Sequence, residues 1–182
     1  MSDDKLAALE ARLRELEDVR EINEVFFKWH YDCTGGFNGK QAGRMEALEC
    51  LTDDATIEVQ SLHEPGKGPK GREQYTEFWD YFYGDDGPLP YVFQNSVAER
   101  VKVDGDTAVQ QSNQFGIFQA RGEKPWFGLS QRTNYFVRTP KGWRINKTTI
   151  EGGFSIQADE IHGNLNTLPE VMSPRTPWTY KG

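Results

Sequence analysis

Apolar residues recur at helical spacing over the first 33 residues of the chain. A first helix is predicted by leucines that follow one another at intervals of three and four residues, at Leu6, Leu9, Leu13 and Leu16. Asp18 is a suitable cap for a second helical stretch. The apolar stripe of that stretch consists of Ile22, Val25, Phe26, Trp29 and Cys33. Gly35 and Gly36 then end the helix, because glycine tolerates the left-handed conformation that closes a helical turn.

The rest of the chain predicts one more amphipathic helix and then a series of strands. "RMEALECL" is a short helix, "TDDATIEVQ" turns into a strand, and "REQYTEFWDYFYG" has aromatic residues near helical spacing. Four strands follow, at 91–103, 107–121, 125–139 and 143–154. The turn sequences "DGD" and "PKG" join them in pairs as hairpins. Helices followed by an antiparallel meander predict an α+β fold.

Composition indicates one soluble domain. The 182 residues suffice for a single core, which we place in residues 1–154, followed by an extended Pro-rich tail at 155–182. The net charge of −7 and the absence of a long basic run argue against nucleic acid or an anionic membrane as a partner. The N-terminal residues form no apolar signal segment, and two cysteines are too few for a disulfide framework, so we expect a cytoplasmic protein. No metal-binding or nucleotide-binding motif is present, and no cofactor or metal is expected.

Five stretches occur in an order that resembles the SnoaL-like family of the nuclear transport factor 2-like superfamily. They are "LEDVREINEVFF", "LECLTDDATIEV", "KGREQYTEFW", "VKVDGDTAV" and "YFVRTPKGWRI", and the resemblance covers roughly residues 16–150. The resemblance implies a cone-shaped, strongly curved antiparallel sheet wrapped round a long N-terminal helix, with an apolar pocket inside. Relatives such as scytalone dehydratase, a dehydrochlorinase, ketosteroid isomerase and polyketide cyclases are mostly cofactor-free acid–base enzymes that act on cyclic, hydrophobic substrates.

The resemblance implies that the end of the first helix supplies side chains to the pocket, but two alignments remain open. In one, Trp29 and Thr34 take the positions of the dehydratases' Tyr and catalytic Asp; in the other, Tyr31 and Asp32 match a Tyr-Asp pair like that of scytalone dehydratase. Helical geometry puts His30 beside the Trp29 face and points Asp32 well away from it. The His of the family's His–Asp dyad is absent, and Gln94 or Tyr91 stands there instead.

Strand alternation predicts the second group of pocket residues. Arg132 and Asn134 share a face of their strand, and Lys147 and Thr149 share a face with Trp143 and Ile145 on the next. Neighbouring amides, including Gln114, make either face polar, so the opposite face, with Gln111, Asn113, Thr133 and Tyr135, remains an alternative. We expect the remaining ring contacts from aromatic residues, namely Phe78, Trp79 and Phe82, together with Tyr91.

These residues predict a cofactor-independent lyase for a hydrophobic phenolic substrate. The family resemblance implies a lignin-derived dimer that loses water, formaldehyde or both as one such substrate. Lys147 or Arg132 would hold the phenolate, Tyr31 would act as acid and Asp32 as base. An isomerase or cyclase for a steroid-like or polyketide-like ring is the alternative enzyme, and a non-catalytic binding module with a purely apolar pocket is the alternative class. The resemblance also implies a homo-oligomer, with a trimer favoured over a dimer.

Overall fold

A computed structural model describes residues 3–34, 45–60, 62–83, 91–120 and 123–157. Helix α1 (Asp3–Thr34) is followed by a 3-10 helix (Met45–Cys50), strand β1 (Leu51–Val59) and helix α2 (Gly71–Tyr83). The remaining strands are β2 (Tyr91–Asp104), β3 (Thr107–Gln119), β4 (Trp126–Thr139) and β5 (Gly142–Gln157). The predicted α+β architecture is confirmed. Most of the expected tail, residues 158–182, lies outside the described residues.

The strands form one curved, open sheet in the order β1-β5-β4-β3-β2. Both predicted hairpins are present, and Gly105 has the positive φ of 58° that the turn between β2 and β3 needs. β1 joins the edge of the antiparallel meander by pairing in parallel with β5, because the intervening chain includes the crossover helix α2. Where β3 bends, a Cβ on Gly116 would lie 2.4 Å from the Phe93 carbonyl oxygen, so only glycine permits this close approach of β2.

Helix α1 is one uninterrupted helix of 32 residues, and the expectation that Asp18 caps a second helix is wrong. Asp18 instead accepts both close hydrogen bonds of the Arg138 Nη2 group, each 2.7 Å long, and one from the Trp143 indole at 3.1 Å. The Arg138 guanidinium lies 4.4 Å above the Trp143 ring and also donates to Asp106. This ion pair ties the middle of α1 to the β4–β5 hairpin and thereby sets where the rest of α1 crosses the sheet.

The inner face of the sheet, which packs against α1, changes from apolar to polar along the helix. Near the Asp18 end, Phe136 and Ile145 are fully buried with Ile22 in the main core. One layer further, Gln110 and Asn134 are equally buried but polar, and Arg132 follows in the next layer. Arg132, Asn134 and Phe136 therefore share the inward face of β4, and the alternative face, with the exposed Tyr135, is excluded.

A β-bulge in β5 changes which of its side chains face inward. Tyr135 pairs with Lys147, whereas Phe136 pairs with Ile145, so Asn146 is the extra residue. Beyond it the buried residue is Thr148, opposite Asn134. The expectation that Lys147 and Thr149 share the inward face with Ile145 is therefore wrong, since a one-residue insertion reverses the alternation.

We predict that Asp18→Ala destabilises the fold by about 2 kcal/mol, because it leaves the partly buried Arg138 and the Trp143 indole without their shared acceptor. Urea denaturation followed by tryptophan fluorescence measures this loss. Asp53→Ala is the matched control, since its ion pair with Arg72 joins two exposed side chains and its removal should leave the transition unchanged. Equal transitions for the two variants would contradict the anchoring role of Asp18.

Candidate functional site

Arg132 forms the centre of a cluster between α1 and the inner face of the sheet. It is 3% exposed, and its guanidinium carbon lies 4.5 Å above the ring of Trp29. Its Nη1 group donates to His30 Nδ1 at 3.3 Å, and its Nη2 group donates to Gln94 Oε1 at 3.4 Å. These three neighbours bring α1, β2 and β4 together at one cation. The sequence analysis proposed all four residues for the pocket.

The contacts of His30 fix its tautomer. Its Nε2 group lies 2.9 Å from the Gln94 backbone carbonyl, which can only accept, so Nε2 carries the hydrogen and Nδ1 accepts from Arg132. Burial, and then the positive charge of Arg132, lower the pKa of His30 from 6.5 to about 4. The ring stacks on Phe26 at 5.5 Å. His30 is therefore neutral near pH 7 and orients Arg132.

Several hydrogen-bond donors on the inner face are buried without a partner. Gln94 Nε2 donates to Gln114 Oε1 at 2.6 Å. The amide nitrogen of Gln114 has no hydrogen-bond partner in the described part of the chain. Among the described residues, the Trp29 indole nitrogen and the Ser112 hydroxyl are in the same condition. Ser112 is the cross-strand neighbour of Arg132, and the Trp29 ring lies directly beneath the Arg132 guanidinium. Uncompensated buried donors cost about 1–3 kcal/mol each, so this group is arranged to receive an acceptor.

Asn134 belongs to a different, internally satisfied set of polar groups. Thr148 Oγ1 donates to Asn134, Asn134 donates to Gln110, and Gln110 donates to Asn23 on α1. This chain supports the layer of the sheet below Arg132. The sequence prediction placed Asn134 in the pocket; its side chain is in fact a link between β3, β4 and β5.

Tyr31 and Asp32 follow His30 on the same turn of α1. The Tyr31 side chain is 42% exposed. Asp32 is 7% exposed, and its carboxylate lies 3.3 Å from Lys28 Nζ, which also reaches the 3-10 helix. The expectation that Asp32 points well away from Trp29 is wrong, since positions three apart lie about 60° apart round a helix.

Lys147 lies on the outer face of the sheet. Its Nζ atom is 3.5 Å from Glu58 on the neighbouring strand β1, and its cross-strand partner is the exposed Tyr135. Thr149 occupies the same face, opposite Thr133. The bulge at Asn146 thus separates both residues from Arg132.

The aromatic residues of α2 pack as one group beside the core. Phe78 and Phe82 have ring centroids 4.8 Å apart, and Phe78 and Trp79 are 5.7 Å apart. Trp79 is 1% exposed and lies in the same core cluster as Trp29, with Phe78 packed against it. The predicted side chains of Thr34 and Tyr91 lie outside the described part of the chain.

Sequence reasoning did not single out Glu99 and Ser112. Val97 pairs with Asn113 and Arg100 with Gln111, so Ala98 and Glu99 together oppose the inward-facing Ser112. Ala98 has a φ of 54°, a strained value for a residue with a Cβ, and the resulting bulge brings Glu99 into the inner row. Burial raises the pKa of Glu99. A bulge leaves no clear signal in an alternating pattern, which explains the omission.

Other chemistry is limited in the described residues. No group of three or more His, Cys, Asp and Glu side chains there is placed to hold a metal ion. Burial raises the pKa of the Cys50 thiol to about 11, which makes it a poor nucleophile at neutral pH. No helix in these ranges is both long and apolar enough to cross a bilayer.

We predict that His30 weakens the fold as the pH falls. The unfolded chain takes up this proton near pH 6.5, whereas the folded protein does so near pH 4, so the stability from neutral His30 is complete above pH 6.5 and is lost between these values. The free energy of unfolding, measured by urea denaturation, should be about 3 kcal/mol lower at pH 4 than at pH 7.5. His30→Gln should flatten this dependence, and an imidazole resonance of His30 titrating near pH 6.5 would contradict it.

Solved structures with the same fold include proteins of diverse description. An NTF2-like protein with a cystatin-like fold from Novosphingobium aromaticivorans has a TM-score of 0.59 and 22% identity, and the match covers 92% of this chain and 98% of that one. A protein from Novosphingobium aromaticivorans assigned as a scytalone dehydratase has a TM-score of 0.63 and 14% identity, over 79% of this chain and 89% of its own. A hexachlorocyclohexane dehydrochlorinase (LinA, type 2) has a TM-score of 0.61 and 14% identity, over 83% and 93%.

Sequence comparison assigns the family. No curated protein matches the chain significantly by sequence. The family model for the SnoaL-like domain matches residues 14–149, which include α1 from its fourth turn, the 3-10 helix, α2 and the inner face with Arg132. The chain therefore belongs to the SnoaL-like family of the NTF2-like superfamily.

Proposed function

We propose that this protein is a cofactor-independent lyase that acts on a hydrophobic phenolic substrate and binds its phenolate oxygen beside Arg132. The observation that carries the proposal is the set of donors on the inner face. A buried guanidinium lies next to an indole N–H, an amide N–H and a hydroxyl group that have no hydrogen-bond partner in the described residues. Donors held in a water-poor site stabilise an anionic oxygen strongly.

The surroundings favour an aromatic substrate. One face of Trp29 is covered by Arg132, so the indole positions the cation and supplies its N–H. Ring contacts are instead available from Phe78 and Phe82, which are partly exposed on α2. Dehydrochlorinase and dehydratase are the activities given in the descriptions of two proteins of the same fold, and both are eliminations.

The proposed reaction needs no external oxidant or reductant. Electrons from a para phenolate expel the benzylic hydroxyl, which leaves as water after it accepts one proton, and the product is a quinone methide. Loss of the proton from the terminal hydroxymethyl oxygen then breaks the adjacent carbon–carbon bond and releases formaldehyde. The electron pair of that bond returns to the ring and forms a stilbene phenolate. A diarylpropane dimer derived from lignin has this arrangement of groups.

The roles of the residues follow from their charge and their hydrogen bonds. Arg132, with the unpartnered donors, stabilises the phenolate, and His30 keeps the guanidinium oriented through Nδ1. Glu99 lies in the inner row and its pKa is raised by burial, so we assign it as the acid–base group. Tyr31 and Asp32, on the same turn of α1 as His30, are the other groups that the sequence indicates for proton transfer.

A purely non-catalytic binding module is less well supported. Such a module would have an apolar interior without perturbed titratable groups, whereas His30 and Glu99 both have shifted pKa values. An isomerase or cyclase would use the same oxyanion donors and a carboxylate, and it differs from the lyase in releasing no fragment.

We predict that Arg132→Met lowers kcat/KM at least ~100-fold, about 2.7 kcal/mol, with a phenolic 1,2-diarylpropane-1,3-diol as substrate, because the bound phenol loses the cation that favours its ionisation. Formaldehyde release and stilbene absorbance measure turnover. Lys147→Met is the matched control: it removes a lysine that pairs with Glu58 on the outer face, and it should retain near wild-type kcat/KM.

A substrate analogue separates the phenolate requirement from general damage. The corresponding phenol methyl ether cannot ionise and should bind without turnover in the wild-type protein. Turnover of the methyl ether, or equal losses in Arg132→Met and Lys147→Met, would contradict the proposed mechanism. Conversion of a ring isomer without release of any fragment would favour the isomerase.

A further inference from the structure

The first half of α1 extends beyond the folded domain. Every residue from 3 to 17 is exposed, and Asp18 is the first buried residue of the helix. The leucine side chains of this segment have relative exposures of 45% for Leu6, 53% for Leu9, 57% for Leu13 and 67% for Leu16. A row of four exposed leucines on one helix marks an interaction surface in a monomer of this size.

The spacing of the leucines is that of a helix that pairs with another helix. Intervals of three, four and three residues follow the alternation of three and four that defines a heptad repeat, so the leucines occupy the a and d positions of two heptads. Every residue from 5 to 17 is Lys, Leu, Ala, Glu or Arg, the composition typical of coiled coils. An isolated amphipathic helix that packs on its own domain would instead bury this stripe.

The charges beside the leucines specify the partner and its direction. Lys5 and Arg12 precede the a positions, and Glu10 and Glu17 follow the d positions. In a parallel pair of identical helices, Lys5 meets Glu10 of the next copy and Arg12 meets its Glu17. In an antiparallel pair, the basic residues would face each other and the acidic residues would do the same. Complementary charges therefore favour a second copy of the same segment, in parallel.

We propose that residues 5–17 of α1 form a parallel coiled coil with the same segment of other copies of this chain. Two heptads are too short to hold isolated helices together in water. Here each segment is continuous with the buried half of α1, which keeps it helical before association and so lowers the cost of pairing. In a pair of segments each edge meets the opposite charge, so we expect two strands.

A charge exchange tests the pairing. One variant carries Lys5→Glu with Arg12→Glu, and the other carries Glu10→Lys with Glu17→Lys. Each variant alone places like charges on both edges, and sedimentation velocity in low salt should show each at the mass of one chain. An equimolar mixture should sediment as one assembly containing both variants, because complementary edges are restored. Circular dichroism and a wild-type unfolding transition establish that each variant is folded.

The controls change charge away from the edges. Arg14→Glu and Glu15→Lys alter the b and c positions, which lie outside the two charged edges of the leucine stripe, and both should keep the wild-type mass. Leu9→Glu with Leu13→Glu should dissociate and should not be rescued by mixing. A monomeric wild-type protein at ten micromolar would overturn the proposal, and so would an assembly that both charge variants retain. Neither outcome depends on the substrate, so the proposed lyase activity stands or fails separately.

Discussion

The site depends on one buried cation, the Arg132 guanidinium, which contacts both α1 and β2. The Arg132 guanidinium lies between the Trp29 ring and the sheet, and its polar neighbours His30 and Gln94 are uncharged near pH 7. A charge in such surroundings interacts strongly with any anionic oxygen that comes near, because few mobile dipoles screen it. It also keeps His30 neutral, which in turn leaves Nδ1 able to accept from the guanidinium. The cation and the imidazole thus fix each other's state.

The fold prepares this site through contacts along the second half of α1. At the middle of the helix, Asp18 binds Arg138 and Trp143 and so fixes the helix against the β4–β5 hairpin. About one turn later, Asn23 closes the line of amides that runs through Gln110 and Asn134. Two turns later the same helix face brings Trp29 and His30 to Arg132. Moving the helix along the sheet by one layer would break all of these contacts together, which explains why polar residues can be buried so deeply here.

The sequence predicted much of this arrangement, and the exceptions have a common cause. Alternation along β4 correctly predicted that Arg132, Asn134 and Phe136 share one face. The turn sequence at Gly105 correctly predicted the hairpin of β2 and β3. Lys147 and Thr149 were misplaced because the extra residue Asn146 reverses the alternation of β5. Glu99 was missed for the same reason in β2. A bulge depends on how two strands pair, so the residue pattern of one strand does not reveal it. The prediction of a helix cap at Asp18 was wrong because its carboxylate binds Arg138 instead of a backbone N–H group.

Spectroscopic titration of 4-nitrophenol bound to the protein tests the central claim most directly, because this phenol reports its own ionisation by absorbance near 400 nm. An apolar pocket raises the pKa of a bound phenol, whereas a pocket with a cation and free donors lowers it. With Arg132 and the donors around it, we predict a bound pKa below that of the phenol in water, and a return to or above that value in Arg132→Met. A bound pKa in the wild-type protein equal to or above the value in water would contradict the account.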